Sequence, residues 1–432
     1  MKRTGKSDAG ATRMRAEVWD QMQFFFQEYN DHQLHAAISF GGRIDRDIIR
    51  KAVFLSMEKV PLLRSRFVVN KFRPHWEKAG PFSDEEVVSF VDTTNPAGEI
   101  DKFLVGMTNE LAGPQVAARV IGGESKDTLC IILNHMVCDG SAFKEYLYFV
   151  AGLYTELQTG QGSASRYRDG DRSPKQIYRH MGILDRMRVF LLPSAYNKDG
   201  IVFPLRAEDR TGCPFIVRQT LIKERFAALK EYGRKHGATV NDIILAAYFR
   251  ALHRTLDLRL GEALTIPCMA DLRRYLPSGT AGAFCNLTGN IVCRIGSDIG
   301  SDLGQTVAKV AAETKAQKEH YPGLAGLSTL YALFRLLPFS SLRKWMKEGF
   351  PNPLIGMTNI GIIDPERLVF GKTEVEQAFV TGSIKYPPYF QLALTSFKDV
   401  ITFTIAEYGT KEDRERIEQF LRVVDGELER IG

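Results

Sequence analysis

The sequence predicts an α/β protein of two lobes, each a mixed β-sheet flanked by helices. The chain has 432 residues, which is more than one ordinary domain needs. Both halves alternate short apolar strands with amphipathic helical stretches. A stretch rich in glycine, serine and charge, residues 158–176, separates them. We therefore expect an N-terminal lobe over residues 16–160, a linker with a crossover helix over 161–210, and a C-terminal lobe over 211–432.

The composition is that of a soluble globular protein, with 44% hydrophobic and 25% charged residues. The net charge is +6, of which the first fifteen residues supply +4, so residues 1–15 are predicted to form a disordered basic tail. Because the remainder is nearly neutral, the charge does not indicate a nucleic-acid partner. The six cysteines show no C-x-x-C spacing and sit mostly in apolar contexts, as buried thiols do. These features predict a reduced, cytoplasmic protein without a structural metal, and no apolar run reaches the ~18 residues of a membrane-spanning helix.

In the first half, residues 34–40 alternate as a strand, and a helical pattern with Asp45 as its N-cap follows. Residues 62–69 (LLRSRFVV) are predicted to be a strand. Residues 114–136 contain two strands joined by a polar turn, which is the signal of a hairpin. A helix over residues 141–157 completes this half.

The second half repeats this style, with a closing helix over residues 411–428. Its helical patterns are residues 223–237 and 239–256, and its strand patterns are residues 214–222, 263–272, 287–295, 354–363, 374–383, 389–397 and 400–408. Residues 327–350 are apolar with interspersed basic residues, which fits either a helix on a membrane surface or a helical cover over a cavity. We favour the cover, because Pro338 interrupts the pattern.

One short motif points to chemistry: the second strand of the predicted hairpin ends at Asn134 and His135, and Asp139 and Gly140 follow before the next helix. A histidine at a strand end can present a ring nitrogen to a channel, and a neutral imidazole can take a proton from an alcohol, amine or thiol. Asp139 can pair with an arginine and hold the loop, and Gly140 permits a turn that a side chain would obstruct. The alternative from these residues alone is a core histidine satisfied by its neighbours, with Asp139 as an ordinary helix cap.

The motif resembles the HHxxxDG signature of the coenzyme A-dependent acyltransferase superfamily, which includes chloramphenicol acetyltransferase, nonribosomal condensation domains, alcohol acetyltransferases and wax-ester synthases. Further segments are similar to the family in the same order: residues 59–67 (KVPLLRSRF), 239–252 (TVNDIILAAYFRAL), 266–277, 282–292 and 357–361 (MTNIG). The resemblance covers about residues 16–425. It implies two chloramphenicol-acetyltransferase-like lobes with a channel between them. Asn134 departs from the signature, since the family carries its first histidine there.

The resemblance implies a role for each residue of the motif. His135 is the expected general base. Asp139 is expected to form a structural ion pair with an arginine, either Arg64 or Arg273, with Arg273 slightly favoured. Thr358, in the MTNIG segment, is the candidate that stabilises the oxyanion of the tetrahedral intermediate.

Three asparagines, Asn134, Asn286 and Asn290, are expected to line the substrate channel. Tyr386, Tyr389 and Phe390 are candidates for a pocket, with aromatic core packing as the alternative, and Asn241 and Asp242 are expected to cap a helix. The sequence has no glycine-rich phosphate loop, which the resemblance explains, because this family holds the pantetheine arm in a tunnel between its lobes. No permanently bound cofactor or metal is expected, and acyl-coenzyme A is the expected co-substrate.

Three functions follow from the resemblance. The first is transfer of an acyl group from acyl-coenzyme A to a hydroxyl or amine in secondary or lipid metabolism. The second is a stand-alone condensation-type enzyme whose substrate is attached to an acyl or peptidyl carrier protein. The third is a non-catalytic binding module of the same fold. Because both lobes belong to one chain, we expect a monomer.

Overall fold

The computed structural model describes residues 13–160, 170–192 and 200–431, except positions 209, 257, 259–261, 282, 320 and 351. Its strands are β1 Met14–Arg15, β2 Gln33–Phe40, β3 Ser65–Val68, β4 His75–Lys78, β5 Val88–Asp92, β6 Val116–Gly122, β7 Asp127–Asn134, β8 Cys213–Leu221, β9 Ala263–Asp271, β10 Thr288–Gly296, β11 Ile355–Ile362, β12 Val375–Thr381, β13 Phe390–Phe397 and β14 Val400–Gly409. Its α-helices are α1 Val18–Phe25, α2 Arg46–Lys59, α3 Asp84–Val87, α4 Pro96–Leu104, α5 Gly140–Thr159, α6 Lys175–Arg179, α7 Ile183–Leu191, α8 Lys223–His236, α9 Val240–Thr255, α10 Leu303–Glu319, α11 Leu327–Leu336, α12 Phe339–Glu348 and α13 Lys411–Leu428.

The first lobe is built on a five-stranded mixed sheet in the order β12-β2-β7-β6-β5. Strand β7 lies at its centre, antiparallel to β2 and β6, and all eight of its residues are buried. Helices α2 and α5 pack together on one face, where their apolar stripes enter the core of the lobe. Asp45 caps α2 by accepting hydrogen bonds from the backbone N–H groups of Asp47 and Ile48, as the sequence predicted.

The second lobe is built on a six-stranded mixed sheet in the order β10-β9-β11-β13-β14-β8. Helices α8, α9, α10 and α13 cover it, and α9 is buried along most of its length. Thr239 caps α9 and shares a reciprocal capping box with Asp242, while Asn241 bonds to Asn359. Asp242, of the two residues proposed as caps, therefore takes part in capping.

The chain crosses between the two sheets near its C-terminal end. Strand β11 belongs to the second sheet, β12 pairs antiparallel with β2 of the first sheet, and β13 returns to the second. A buried apolar cluster joins the lobes and includes Ala37, Leu104, Cys130, Ile216 and Ala406. The two lobes thus share both a strand exchange and a core, and the predicted two-lobed α/β fold is confirmed.

The structure differs from the sequence prediction at three places. Residues 61–64 form a 3₁₀ turn that starts at Pro61, so the strand predicted over residues 62–69 is reduced to β3. Of the predicted basic tail, residues 1–12 lie outside the described residues, whereas Met14 and Arg15 pair with β4 as strand β1. Five of the six cysteines are buried, but Cys213 is exposed at the start of β8.

Candidate active site

A cavity of about 700 Å³ lies between the two lobes. His135 and Asp139 line it from the first lobe, and Asn290 and Thr358 line it from the second. Its volume is in the range of pockets that hold a small organic ligand. The cavity therefore brings residues together that are more than two hundred positions apart in the sequence.

His135 follows directly after β7 and begins the turn that leads to α5. Its backbone N–H donates to the carbonyl of His32 (2.8 Å), and its carbonyl accepts from the Asn286 side-chain amide (3.0 Å). The main chain is thus held from both lobes. The ring atom Nδ1 is buried and makes no hydrogen bond of normal geometry in the described chain.

The surroundings of His135 favour its neutral form. Burial lowers the pKa of the imidazole below its ordinary value, and the nearby Lys385 ammonium lowers it further. A polar contact with the His135 main chain, the Asp139 charge and a polar contact with the Asn286 side chain oppose this shift of the pKa without reversing it. A neutral imidazole is the form that accepts a proton from a nucleophile.

Asp139 lies at the start of α5 and is almost completely bonded. Its Oδ1 atom accepts from the Ala142 N–H (2.9 Å) and caps the helix. Its Oδ2 atom accepts from the Arg273 guanidinium (2.9 Å) and the Leu287 N–H (2.6 Å). Burial alone would raise the pKa of Asp139, but the charge and hydrogen bond of Arg273 hold the pKa below its ordinary value.

The structure pairs Asp139 with Arg273 and not with Arg64. Arg273 lies in the 3₁₀ turn after β9, is 7% exposed, and also donates to Asp271 (3.1 Å) and to the carbonyl of Cys285 (3.0 Å). Arg64 lies in the turn before β3 and is not among the partners of Asp139. Because Asp139 and Arg273 come from different lobes, their ion pair fixes the His135 loop across the interface.

Gly140 occupies the first position of α5, close to β11. A Cβ atom there would lie 3.0 Å from Cγ2 of Ile360, closer than side-chain atoms normally approach. The glycine therefore allows the loop that carries His135 to approach the second lobe.

The prediction that Asn134 lines the channel is wrong. Its side chain is buried on the other side of the loop, where its amide donates to the Thr108 hydroxyl (3.3 Å) and its oxygen accepts from the Met136 N–H (2.9 Å). Consecutive residues at a strand end point to opposite sides, so Asn134 cannot face the cavity while His135 does. Asn134, the residue that departs from the HHxxxDG signature, therefore does not line the cavity.

The other predicted channel residues do line the cavity. Asn286 tethers the His135 loop, and Asn290, on β10, has a buried Oδ1 atom without a partner in the described chain. Thr358 lies on β11, between β9 and β13, and is partly exposed to the cavity. Neither the Asn290 oxygen nor the Thr358 hydroxyl has a hydrogen-bond partner in the described chain, which leaves polar groups for a ligand.

Helices α1, α7, α11 and α12 all contribute apolar side chains to the wall. Helices α11 and α12 lie over the cavity, with Leu330, Leu333 and Trp345 contributing to it, so residues 327–350 form the predicted cover. Tyr389 and Phe390 also line the cavity. Tyr386 does not, because its ring packs against Tyr408 and the Arg210 guanidinium.

Sequence reasoning missed Lys385, which lies in the segment between β12 and β13 and lines the same cavity. Burial lowers the pKa of its ammonium to about 8, although Asp31 and Glu407 raise it. A single lysine between Ile384 and Tyr386 matches no motif. The only local signal is a charged residue inside an apolar and aromatic stretch.

Within the described residues, no group of three or more His, Cys, Asp or Glu side chains could hold a metal ion. None of the described helices is both long enough and apolar enough to cross a membrane.

The fold is that of condensation domains and acetyltransferases. The first condensation domain of the calcium-dependent antibiotic synthetase, in complex with a substrate analogue, superposes with a TM-score of 0.70 at 16% identity, with 97% of each chain covered. Trichothecene 15-O-acetyltransferase from Fusarium sporotrichioides superposes with a TM-score of 0.70 at 12% identity, covering 99% of this chain and 97% of that one. The starter condensation domain of rhizomide synthetase, in complex with C8-CoA, has a TM-score of 0.64 at 13% identity and covers 96% and 94%.

By sequence, no protein-family model matches the chain, and no curated protein matches it. At these identities the likeness establishes the two-lobed chloramphenicol-acetyltransferase-like fold.

Proposed function

We propose that the protein is an acyltransferase that moves an acyl group from a thioester to a hydroxyl or amine, with His135 as general base. The observation that carries the proposal is the imidazole of His135 on the wall of a cavity built from both lobes, where burial lowers its pKa and so favours its neutral form. The Asp139–Arg273 pair supports it, because it fixes the loop that positions this base.

The chemistry follows from the groups that line the cavity. His135 takes the proton from the acceptor as the acceptor oxygen or nitrogen attacks the thioester carbonyl. The carbonyl oxygen becomes negative in the tetrahedral intermediate, and the Thr358 hydroxyl is the proposed donor to it. When the intermediate collapses, the C–S bond breaks and the imidazolium returns its proton to the leaving thiolate.

Acyl-coenzyme A is the proposed donor. The cavity is large enough for a small acyl group and the end of a pantetheine arm, and the starter condensation domain of rhizomide synthetase, which has the same fold, is in complex with C8-CoA. A second candidate is a stand-alone condensation-type enzyme, in which the thioester belongs to a carrier protein; the likeness to condensation domains of a synthetase is what keeps this candidate. The two candidates share the base and the oxyanion donor and differ only in what carries the thiol.

Thiol release tests the proposal. Purified protein is offered acetyl-, hexanoyl- and palmitoyl-coenzyme A with pooled alcohols and amines, and the same acyl groups as pantetheine thioesters on a carrier protein. His135→Ala is expected to lower thiol release by a factor of about 10² to 10⁴, the usual contribution of a general base. The matched control is His236→Ala, since His236 is exposed at the end of α8.

Equal thiol release by wild type and His135→Ala would contradict the role of His135. Release from the carrier-bound thioester alone would replace coenzyme A with the carrier protein as donor. The absence of turnover with every donor would contradict the proposal and favour a binding module.

A further inference from the structure

The charged groups that line the cavity are paired with one another, with the exception of Lys385. Asp139 and Asp271 both accept from Arg273, at 2.9 Å and 3.1 Å, and Asp271 also accepts from Ser141. Within the described chain, Lys385 has neither a hydrogen-bond partner for its ammonium nor a carboxylate within 4.0 Å of it. The cavity therefore presents one cation without a direct ion-pair partner in the described chain, although Asp31 and Glu407 act on it from a longer distance.

The backbone holds Lys385 between the two sheets. Its N–H donates to the carbonyl of Ala406 and its carbonyl accepts from the Tyr408 N–H, both at 2.9 Å and both on β14. On the other side, the neighbouring Ile384 exchanges hydrogen bonds with Asp31 of the first lobe. Because both sides are bonded, the backbone from which the Lys385 side chain projects is fixed by main-chain hydrogen bonds and does not belong to a flexible loop.

Asp31 and Glu407, the two carboxylates that raise the pKa of Lys385, do not pair directly with its ammonium. The Asp31 Oδ1 atom accepts from the backbone N–H groups of Gln33 and Ile384, and its Oδ2 atom lies 3.4 Å from Nε2 of His35. Glu407 is fully buried, and burial raises its pKa well above the ordinary value, although the Lys385 charge opposes this shift. Both lie behind the wall, while Lys385 is the residue that reaches the cavity.

We propose that Lys385 binds a carboxylate carried by the substrate, next to His135. One ammonium balances one negative charge, and an ion pair away from bulk water is stronger than one at the surface. The inference rests on the proposed function for its place in catalysis, and it specifies the substrate class as an acid whose carboxylate lies near the reacting group. The carboxylate belongs either to the acceptor, as in a hydroxy acid, or to the acyl donor, as in a dicarboxylic thioester.

Binding tests this inference without turnover. Trp19 and Trp345 line the cavity, so their fluorescence reports a ligand there. Hexanoate is titrated against hexanamide, which has the same shape and no charge. Wild type is expected to bind hexanoate about tenfold more tightly, as for a hydrogen bond to a charged group. Lys385→Met is expected to lose this preference, and Lys385→Arg, which retains the charge, is expected to keep it.

The matched control is Lys344→Met, because Lys344 is exposed on the covering helix α12. Equal affinity for the two probes in wild type would overturn the inference, as would a preference that survives Lys385→Met or the absence of saturable quenching by hexanoate. Because the titration needs no reaction, its result does not depend on whether His135 is the base.

Turnover then identifies which substrate carries the acid. In wild type, 6-hydroxyhexanoate is compared with 1-hexanol as acceptor, and glutaryl-coenzyme A is compared with butyryl-coenzyme A as donor. A lower KM for the acid in one pair, abolished by Lys385→Met, assigns the carboxylate to that substrate. If neither acid is favoured in turnover, the carboxylate is not a substrate group and the inference is overturned.

Discussion

The buried charges on the two sides of His135 differ in how completely they are bonded. On one side, the Asp139 carboxylate receives hydrogen bonds from Arg273 and from two backbone N–H groups. On the other side, both oxygens of Glu407 lack a partner in the described chain, and Lys385 has no ion pair there. Asp139 and Lys385 both act on the His135 imidazole: Asp139 raises its pKa and Lys385 lowers it.

This difference indicates that Asp139 supports the structure of the site and that Lys385 is available to bind a ligand. A completely bonded buried ion pair positions the loop and needs nothing further. Buried polar atoms without partners cost stability, and in folded proteins they are rare unless a ligand or water completes them. Asp139 and Arg273 thus build the site, whereas the Lys385 ammonium, which lines the cavity, remains available for the substrate. Glu407 lies behind the wall and is not completed by a ligand there.

The largest expected effect is a loss of stability when the ion pair between Asp139 and Arg273 is broken. Arg273→Met leaves the Asp139 charge buried without its counter-ion, and removing one partner of a buried pair costs about 3–5 kcal/mol. The measurement is the free energy of unfolding in urea. Arg367→Met is the control, because the pair between Arg367 and Glu145 is about half exposed and is expected to contribute less than about 1 kcal/mol. Equal losses in the two variants would contradict the structural role of Arg273.

The sequence predicted the bonded side well, because its residues follow a compact motif. The spacing of His135, Asp139 and Gly140 after a strand pointed to a loop with a base and a brace. The partner of Asp139 remained open between Arg64 and Arg273, since the two residues of the pair are 134 positions apart. Which of the two arginines reaches the Asp139 carboxylate depends on how the two lobes pack against each other.

The other side was not predicted, for a physical reason. The surroundings of Lys385 come from β14, from the segment before β2 and from the His135 loop, and none of these contacts is local in sequence. The prediction that Asn134 lines the channel failed for the opposite reason. It lies beside the base in the sequence, but the alternation of a strand turns its side chain away.

A smaller effect is expected at the two asparagines that the sequence assigned to the same channel. Asn134→Ala is expected to lose about 1–3 kcal/mol of stability, since a buried N–H and a hydroxyl lose their partner. Its KM is expected to stay at the wild-type value, because the side chain does not reach the cavity. Asn290→Ala is expected to show the reverse, a raised KM with little loss of stability. A raised KM in Asn134→Ala would contradict the placement of Asn134.

Glu407→Gln is expected to raise the free energy of unfolding by on the order of 1 kcal/mol, which is the free energy that corresponds to a shift of one pKa unit. The folded-state pKa of Glu407 is raised, so its contribution is fully present below the unfolded pKa and is lost as pH rises through the folded value. The advantage of the glutamine is therefore expected to grow with pH. Urea midpoints measured across pH test this, with the exposed Glu366→Gln as control. A constant difference across pH would contradict a raised pKa of Glu407.

The smallest expected effect is a shift in the pH profile of kcat/KM, measured with uncharged substrates so that carboxylate binding plays no part. A general base works in its neutral form, so activity falls as pH drops through the pKa of His135, which burial and then Lys385 hold below the ordinary value. Lys385→Met removes one of these two causes, while Asp139 still raises the pKa. The acid limb is therefore expected to move to higher pH in Lys385→Met and to stay in place in Lys385→Arg and Lys344→Met. If the acid limb does not move in Lys385→Met, Lys385 does not affect the pKa of His135, and burial alone lowers that pKa.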